Sequence, residues 1–395
     1  MILTNQQENA IKKTVDWFRS KSSRIWKIAG YAGTGKTTII PYIVESLGFD
    51  EKEIAFMTPT GKAALNLRKK GIPAKTIHST IYTRDVIEEN DIKIVVWRLI
   101  PAIKCKLFVI DEISMVSDEL MEDILSFNIP IITIGDPAQL QPVKGECTYL
   151  SHPDIMLSEI HRQGKDDPII RLSMEIRNGH TNLVHCKYSK NVLITSKIIQ
   201  PDILSRADII LTGTHKMRKA LNKIMREYYG FNNKYFNLGE KVICKMNNKN
   251  IAIGYEDLEV PIANGIIGNI VTEFNENNVI DCLAYSDLSK ETKLKHLIRV
   301  DFKPDFIPKE SNTRYEKINI CLDTLQFDDE KPFITAPRNL IIYMNYGYAI
   351  TTHSSQGSEW DNVVVYNDFT WNKELNQRYL YTAITRAKNN LVIVI

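Results

Sequence analysis

Two clusters of residue types in this chain have the chemistry to handle phosphate. The first, Gly30-Tyr31-Ala32-Gly33-Thr34-Gly35-Lys36-Thr37, fits G-x-x-x-x-G-K-[ST] at every fixed position. Its glycines let backbone N–H groups turn toward phosphate oxygens. Lys36 supplies a point charge, and Thr37 a hydroxyl for Mg²⁺. The second, Val109-Ile110-Asp111-Glu112, puts two carboxylates at the end of the apolar run Leu107–Ile110. One can hold a metal ion and the other can orient an attacking water. The two clusters, in that order on one chain, imply hydrolysis of a nucleoside triphosphate. What the hydrolysis drives must come from the rest of the chain.

The elements around these clusters read as a nucleotide-binding α/β unit. Arg24–Ala29 is a short strand, the Gly-rich loop follows, and Thr38–Leu47 is a helix. Glu53–Thr58, Leu107–Asp111 and Ile131–Gly135 are further strands, with the helix Gly61–Lys70 after the first of them. Such alternation gives a parallel sheet that binds ligands at the carboxyl ends of its strands. Tyr82–Trp97 has two β-prone stretches around Glu88-Glu89-Asn90-Asp91 and reads as an inserted hairpin. A second α/β unit begins near Asp208, with strand Ile209–Thr212 and helix His215–Tyr229. It resumes at Asn339–Thr352, Asn362–Tyr366, Lys373–Ile384 and Leu391–Ile395. Between these parts, Lys234–Pro337 is rich in Val, Ile, Asn and Gly. Its short strand-like runs (Lys241–Lys245, Ile266–Phe274, Val279–Ala284, Leu297–Phe302) read as a small β-barrel-like insertion.

Composition narrows the class. The 395 residues suffice for two or three domains, and 44% hydrophobic with 25% charged residues is the balance of a soluble globular protein. No apolar run approaches the roughly 18 residues that span a bilayer, so no membrane partner is expected. The first residues lack a signal-peptide pattern, which predicts a cytoplasmic protein. The six Cys form no C-x-x-C and no Cys/His cluster, so reduced thiols and no zinc are expected. A net charge of +3 neither demands nor excludes a polyanionic partner, and any nucleic-acid site must be a local basic groove.

Further motifs sharpen this. Leu3-Thr4-Asn5-Gln6-Gln7 opens the chain, and Thr4 with Gln7 also has the form of a capping box. Thr58-Pro59-Thr60-Gly61-Lys62 and Thr76-Ile77-His78-Ser79 offer hydroxyls, backbone N–H groups and a helix N-terminus, which suit phosphate contacts that read no sequence. Gly135-Asp136-Pro137-Ala138-Gln139 follows a buried strand. Leu157-Ser158-Glu159-Ile160-His161-Arg162, Thr352-His353-Ser354-Ser355-Gln356-Gly357-Ser358-Glu359 and Tyr381-Thr382-Ala383-Ile384-Thr385-Arg386 come later. This ordered set resembles the superfamily 1 helicases, in particular the 5′-to-3′ subclass that includes RecD and the phage helicase Dda.

The resemblance covers nearly the whole chain. It implies two RecA-like domains, with ATP in the cleft between them and a single strand across their top. The first would be residues 1–165, with the hairpin at about 80–100. The second would be 166–233 and 338–395, and residues 234–337 would form an SH3-like β insertion. Gln7 would read the adenine, as an amide can donate to and accept from its edge. Gly33, Thr34, Gly35, Lys36, Thr37, Thr38, Gly357 and Glu359 would contact the nucleotide. Thr37 and Asp111 would bind Mg²⁺, and Glu112 would be the catalytic base. Gln139 would sense the γ-phosphate, while Arg162 and Arg386 would neutralise the phosphoryl transition state. Pro59, Thr60, Gly61, His78, Thr352, His353 and Ser354 would face the nucleic acid. Ser354 stands where family members often carry Lys, and Gln141 where the more usual residue is Pro.

Lys216, Lys219, Lys223 and Arg226 form one narrow stripe of a helix. Leu221, Ile224, Met225 and Tyr228 fall opposite it, as a core-facing side. The stripe fits a strand path or a solvated face. Tyr82 and Trp97 belong to a hairpin placed like the family's strand-separating pin, where an aromatic can stack on a base or pack at the root. Gly239-Glu240-Lys241-Val242-Ile243 and Ile262-Ala263-Asn264-Gly265 resemble the start of the SH3-like insert.

The resemblance thus implies an ATP- and Mg²⁺-dependent DNA helicase. It would act as a monomer on single-stranded and forked duplex DNA, alongside replication or recombination proteins. The Lys/Asn/Ile-rich text fits an AT-rich genome such as a phage's, which would place the protein in a host cytoplasm. The alternatives are an RNA-directed motor of the same superfamily, a translocase that displaces bound proteins, and a nucleotide-gated loader. Glu112, Arg162 and Arg386 argue against the loader.

Overall fold

The computed structural model describes residues 3–89, 92–160, 167–197, 199–231, 236–256, 258–273, 279–281, 296–321 and 342–395. Arg162, the Asn90-Asp91 pair of the hairpin turn, Phe274, residues 282–284 and residues 339–341 lie outside them. The chain divides into two compact units. One holds Met1–Arg84, Trp97–Lys197 and Ser355–Ile395, and the other Asp85–Val96 and Ile198–Ser354.

The first unit is built on a fully parallel six-stranded sheet. In spatial order its strands are Lys75–Thr76, Ile54–Thr58, Leu107–Ile110, Ile131–Gly135, Ile25–Gly30 and Ile155–Leu157. Leu107–Ile110 is apolar throughout and fully buried because both faces of the sheet are covered. Ile28, Val109, Ile132 and Ile134 pack on one side with Ile39, Ile40 and Ile43. Ala29, Phe108, Ile110 and Ile131 pack on the other with Ile113, Met121 and Ile124. Truncating one such side chain to Ala costs about 2–5 kcal/mol. A second sheet of this unit runs Trp360–Tyr366, Ala387–Val394, Val192–Thr195 and Cys186–Lys187, parallel except for the last pair.

The helix expected at Thr38–Leu47 starts as a 3-10 turn, Thr37–Ile39, and is α-helical over Ile40–Leu47. Pro41 sits in the first turn, where its missing N–H goes unneeded. Tyr82–Glu89 and Ile92–Leu99 pair as a two-stranded sheet, and the Ile100 amide donates to the Ile81 carbonyl at its root (2.9 Å).

In the second unit Ile209–Thr212 pairs in parallel with Ala349–Thr351. An antiparallel sheet carries Val279–Asp281, His296–Pro304, Ile267–Ile270, Lys241–Cys244 and Met344–Tyr346 in that order, with Tyr315–Cys321 on His296–Pro304. Asn248–Tyr255 and Leu258–Ile262 form a separate hairpin.

The helix His215–Tyr228 corrects one expectation. Its buried residues are Arg218, Leu221, Asn222 and Met225, while Ile224 and Tyr228 are exposed. A polar contact sets this rotation. Asn222 Nδ2 donates to the Ala349 carbonyl (2.9 Å), and the Ala349 amide donates back to Asn222 Oδ1 (3.0 Å). Arg226 leaves the basic stripe to pair with the buried Glu240 and to cover the Tyr346 ring.

Candidate active site

The site begins where the strand Ile25–Gly30 ends. Gly33 and Gly35 adopt φ of +77° and +73°, left-handed values that glycine reaches without steric cost. They bend the loop so that Lys36 and Thr37 face the end of the neighbouring strands. Thr37 Oγ1 donates to Asp111 Oδ2 at 3.0 Å, and the Glu112 amide donates to Asp111 Oδ1 at 2.9 Å. Lys36 Nζ donates to the Tyr31 carbonyl (2.9 Å) and lies 3.8 Å from Asp136 Oδ2. The Thr38 amide donates to the Gly35 carbonyl at 3.0 Å.

Glu112 takes a left-handed backbone, φ +58°, which costs a non-glycine residue about 1 kcal/mol. Its Oε2 is buried and has no hydrogen-bond partner, and the same holds for Gln139 Oε1. Two buried acceptors left open, one of them on Glu112 next to the metal-binding candidate Asp111, fit a site that takes a hydrogen-bond donor such as water. The charge pattern agrees. Burial pushes the Asp111 carboxyl up. Burial and the neighbouring Asp111 push Glu112 up to about 6, against the opposing pull of Arg386 and Lys36. The pair Thr37 and Asp111 supplies the hard oxygen donors that Mg²⁺ prefers.

Arg386 belongs to the same compact unit as Lys36 and Glu112. It is buried. Its Nε donates to the Thr382 carbonyl (3.0 Å), Nη1 to the Ser358 carbonyl (3.2 Å) and Nη2 to Thr385 Oγ1 (3.0 Å). The preceding helix, Lys373–Ile384, grips the segment Asp136–Leu140 with one face. Arg378 Nη1 donates to the Pro137 and Gln139 carbonyls (2.9 and 3.2 Å), and the Leu140 amide donates to Thr382 Oγ1 (2.8 Å). Tyr381 OH donates to Asp136 Oδ2 (2.8 Å) and accepts from the Ala32 amide (3.0 Å). Gln356 Nε2 adds a bond to the Leu140 carbonyl (3.0 Å). The sequence singled out the Tyr381–Arg386 and Gly135–Gln139 segments but neither Arg378 nor the pairing of the two segments. Arg378, Tyr381 and Thr382 share helical spacing, but their partners lie some 240 positions away.

The other candidates are placed as follows. Gln7 is buried. Its Oε1 closes the capping box on the Thr4 amide (3.0 Å), and its Nε2 donates to the Thr34 carbonyl (3.1 Å), so it braces the phosphate loop. Its neighbour Gln6 reaches the Met156 carbonyl and the Ser158 and Glu159 amides. Gly357 has φ +73°, and its carbonyl accepts from Asn66 Nδ2 (2.5 Å). Glu359 is exposed and lies 3.9 Å from Lys388.

Among the strand-facing candidates, Pro59 and Thr60 are half-buried and Gly61 is buried. Thr60 caps its helix by accepting from the Ala63 amide (3.2 Å). His78 sits with its ring 5.4 Å from Tyr82 and 6.3 Å from Trp97, at the root of the hairpin, and burial pushes its titration down. In the second unit, Thr352 is buried with Oγ1 donating to the Thr212 carbonyl (3.3 Å), and Ser354 Oγ meets Thr351 Oγ1 at 3.0 Å. His353 is half-buried, and burial and His215 push its titration down.

Residues 2–196 match the AAA domain family, and residues 346–394 match the UvrD-like helicase C-terminal domain. The ATP-dependent DNA helicase Dda of enterobacteria phage T4 is 34% identical over 194 residues, covering 46% of this chain and 44% of Dda. The ATP-dependent RecD2 DNA helicase of Deinococcus radiodurans is 24% identical over 392 residues, covering 93% of this chain and 46% of RecD2. The chain therefore spans less than half the length of these two relatives. A crystal structure of the Pif1 helicase from Bacteroides, in complex with ADP-AlF3 and single-stranded DNA, has the same fold. It covers all of this chain at a TM-score of 0.53 and 18% identity. No helix among the described residues is long and apolar enough to cross a membrane. In its ordered motifs, both domain matches and these relatives, the chain is similar to the superfamily 1 helicases of the RecD and Dda type.

Proposed function

We propose that this chain is an ATP- and Mg²⁺-dependent DNA helicase that moves 5′ to 3′ along single-stranded DNA and unwinds duplex DNA. The observation that supports the proposal is the meeting of Thr37, Asp111 and Glu112 at one point, within the electrostatic reach of Lys36 and Arg386 and with one buried Glu112 oxygen left open. Mg²⁺ held by Thr37 and Asp111 supplies charge neutralisation to the phosphates. Glu112 in its ionised form takes the proton of the attacking water. Gln139 aligns that water, and Lys36 and Arg386 balance the charge that builds on the transferred phosphoryl group. Arg162 joins them on the family resemblance. The hydrolysis cycle drives two RecA-like domains, 1–165 and 166–233 with 338–395, along a strand held by Pro59, Thr60, Gly61, His78, Thr352, His353 and Ser354. The Tyr82–Trp97 hairpin is the separating pin, and residues 234–337 form an SH3-like insertion. The protein acts as a monomer in the cytoplasm.

Steady-state ATPase activity with and without single-stranded DNA, and with RNA of matched sequence, tests this. Strong stimulation by DNA, lost in Lys36→Ala, is the expected result. Stimulation mainly by RNA would transfer the assignment to an RNA motor, and stimulation by neither would end it.

A further inference from the structure

We infer that Tyr381 is a positioning residue that shares the Asp136 carboxylate with Lys36, and so sets how readily Lys36 is released to a nucleotide phosphate. The inference rests on the nucleotide reading of the site.

Asp136 is fully buried. A buried carboxylate needs donors, because losing one leaves a charge that neither water nor protein solvates. Its Oδ1 accepts from the Ala138 amide (3.0 Å). Its Oδ2 faces two groups, Tyr381 OH at 2.8 Å and Lys36 Nζ at 3.8 Å. Lys36 must turn from Asp136 and from the Tyr31 carbonyl to meet a phosphate. When it does, the Ala138 amide and the Tyr381 hydroxyl remain to hold the Asp136 charge.

The direction of the Tyr381 proton is fixed by its second partner. The hydroxyl accepts from the Ala32 amide at 3.0 Å, so its own hydrogen is free to point only toward Asp136. Tyr381 is 1% exposed, which locks the ring in this pose. Burial and the Asp136 charge hold the phenol well above its usual range, so it stays a donor at working pH. The hydroxyl rides on the helix Lys373–Ile384, whose last residue stands two before Arg386. Release of Lys36 is thereby tied to the element that carries the arginine.

The test measures binding of ADP and of adenosine to the full chain, by competition with a fluorescent ADP, in wild type and Tyr381→Phe. The variant keeps the ring and removes the donor. ADP affinity should fall about ten-fold, the scale of one hydrogen bond to a buried charge. Adenosine gives Lys36 nothing to bind and should keep its affinity. In an Asp136→Asn background, which has no carboxylate to hold Lys36, Tyr381→Phe should change ADP affinity less than about two-fold. Unchanged ADP affinity in Tyr381→Phe overturns the inference. So does an equal loss for ADP and adenosine, which is the mark of a packing strut. A wild-type chain that fails to bind ADP would instead remove the nucleotide reading itself.

Discussion

Thr37 Oγ1 donates to Asp111 Oδ2 at 3.0 Å, although the strand Ile131–Gly135 lies between their two strands in the sheet. The hydroxyl that ends the phosphate loop and the carboxylate that ends Leu107–Ile110 therefore meet at one point. Asp111→Asn keeps an acceptor for Thr37 and removes the charge. The Mg²⁺ concentration that half-saturates ATP turnover should rise more than about ten-fold, the loss expected when a hard cation gives up one carboxylate. A Mg²⁺ titration of ATPase activity reads this directly, and an unchanged midpoint would move the metal elsewhere.

Glu112 gives a pH signature with two opposite readouts. Burial and Asp111 push its carboxyl up to about 6 from 4.5. Turnover needs the ionised form, so kcat should rise through about pH 6 and level off above it. Folding responds in the other direction. At acid pH the group is neutral in both states and costs nothing. Above about 6 the folded state must carry a buried charge that the unfolded chain carries in water. Glu112→Gln should thus gain about 2 kcal/mol at pH 7.5 and nothing near pH 4, while losing turnover. Denaturant unfolding at the two pH values checks the sign.

Arg386→Ala should lower kcat by about 10³-fold, as for removal of an arginine finger, with little change in ATP affinity. The side chain also donates to Thr382, Ser358 and Thr385, so a folding role is the competing reading. Equal losses in binding and in turnover, together with a lower melting temperature, would favour that reading.

Removing Glu88–Asp91, which the sequence reads as the polar turn of the hairpin, should spare ATPase stimulated by single-stranded DNA and reduce unwinding of a forked duplex. The hairpin root, with Tyr82, Trp97 and His78 in ring contact, stays intact in this variant. Unwinding at the wild-type rate would rule out a pin.

The legible part of the molecule was the part encoded locally. The phosphate loop, the apolar-Asp-Glu strand end and the Thr4–Gln7 capping box each lie within eight consecutive residues, and each has the expected local form. The alternation of strands and helices implied a parallel sheet, and the first sheet is one. Where local signals competed, the sequence misled. Helical spacing put Ile224 and Tyr228 in a core, but hydrogen bonds of Asn222 to the Ala349 backbone fix the face that is buried.

By itself, the sequence determined the chemistry available: which groups can hold phosphate and metal, and in what chain order. Only the tertiary structure decided how those groups restrain one another. Arg378 lies outside every motif, and Tyr381 and Thr382 were singled out only as part of the arginine motif; all three matter because a helix from late in the chain lies against Asp136–Leu140. The raised Glu112 carboxyl and the open oxygens of Glu112 and Gln139 exist only once burial has removed water. The reason is physical. Propensity and spacing act over a few residues, whereas desolvation and the sharing of a buried charge depend on every element that packs around it.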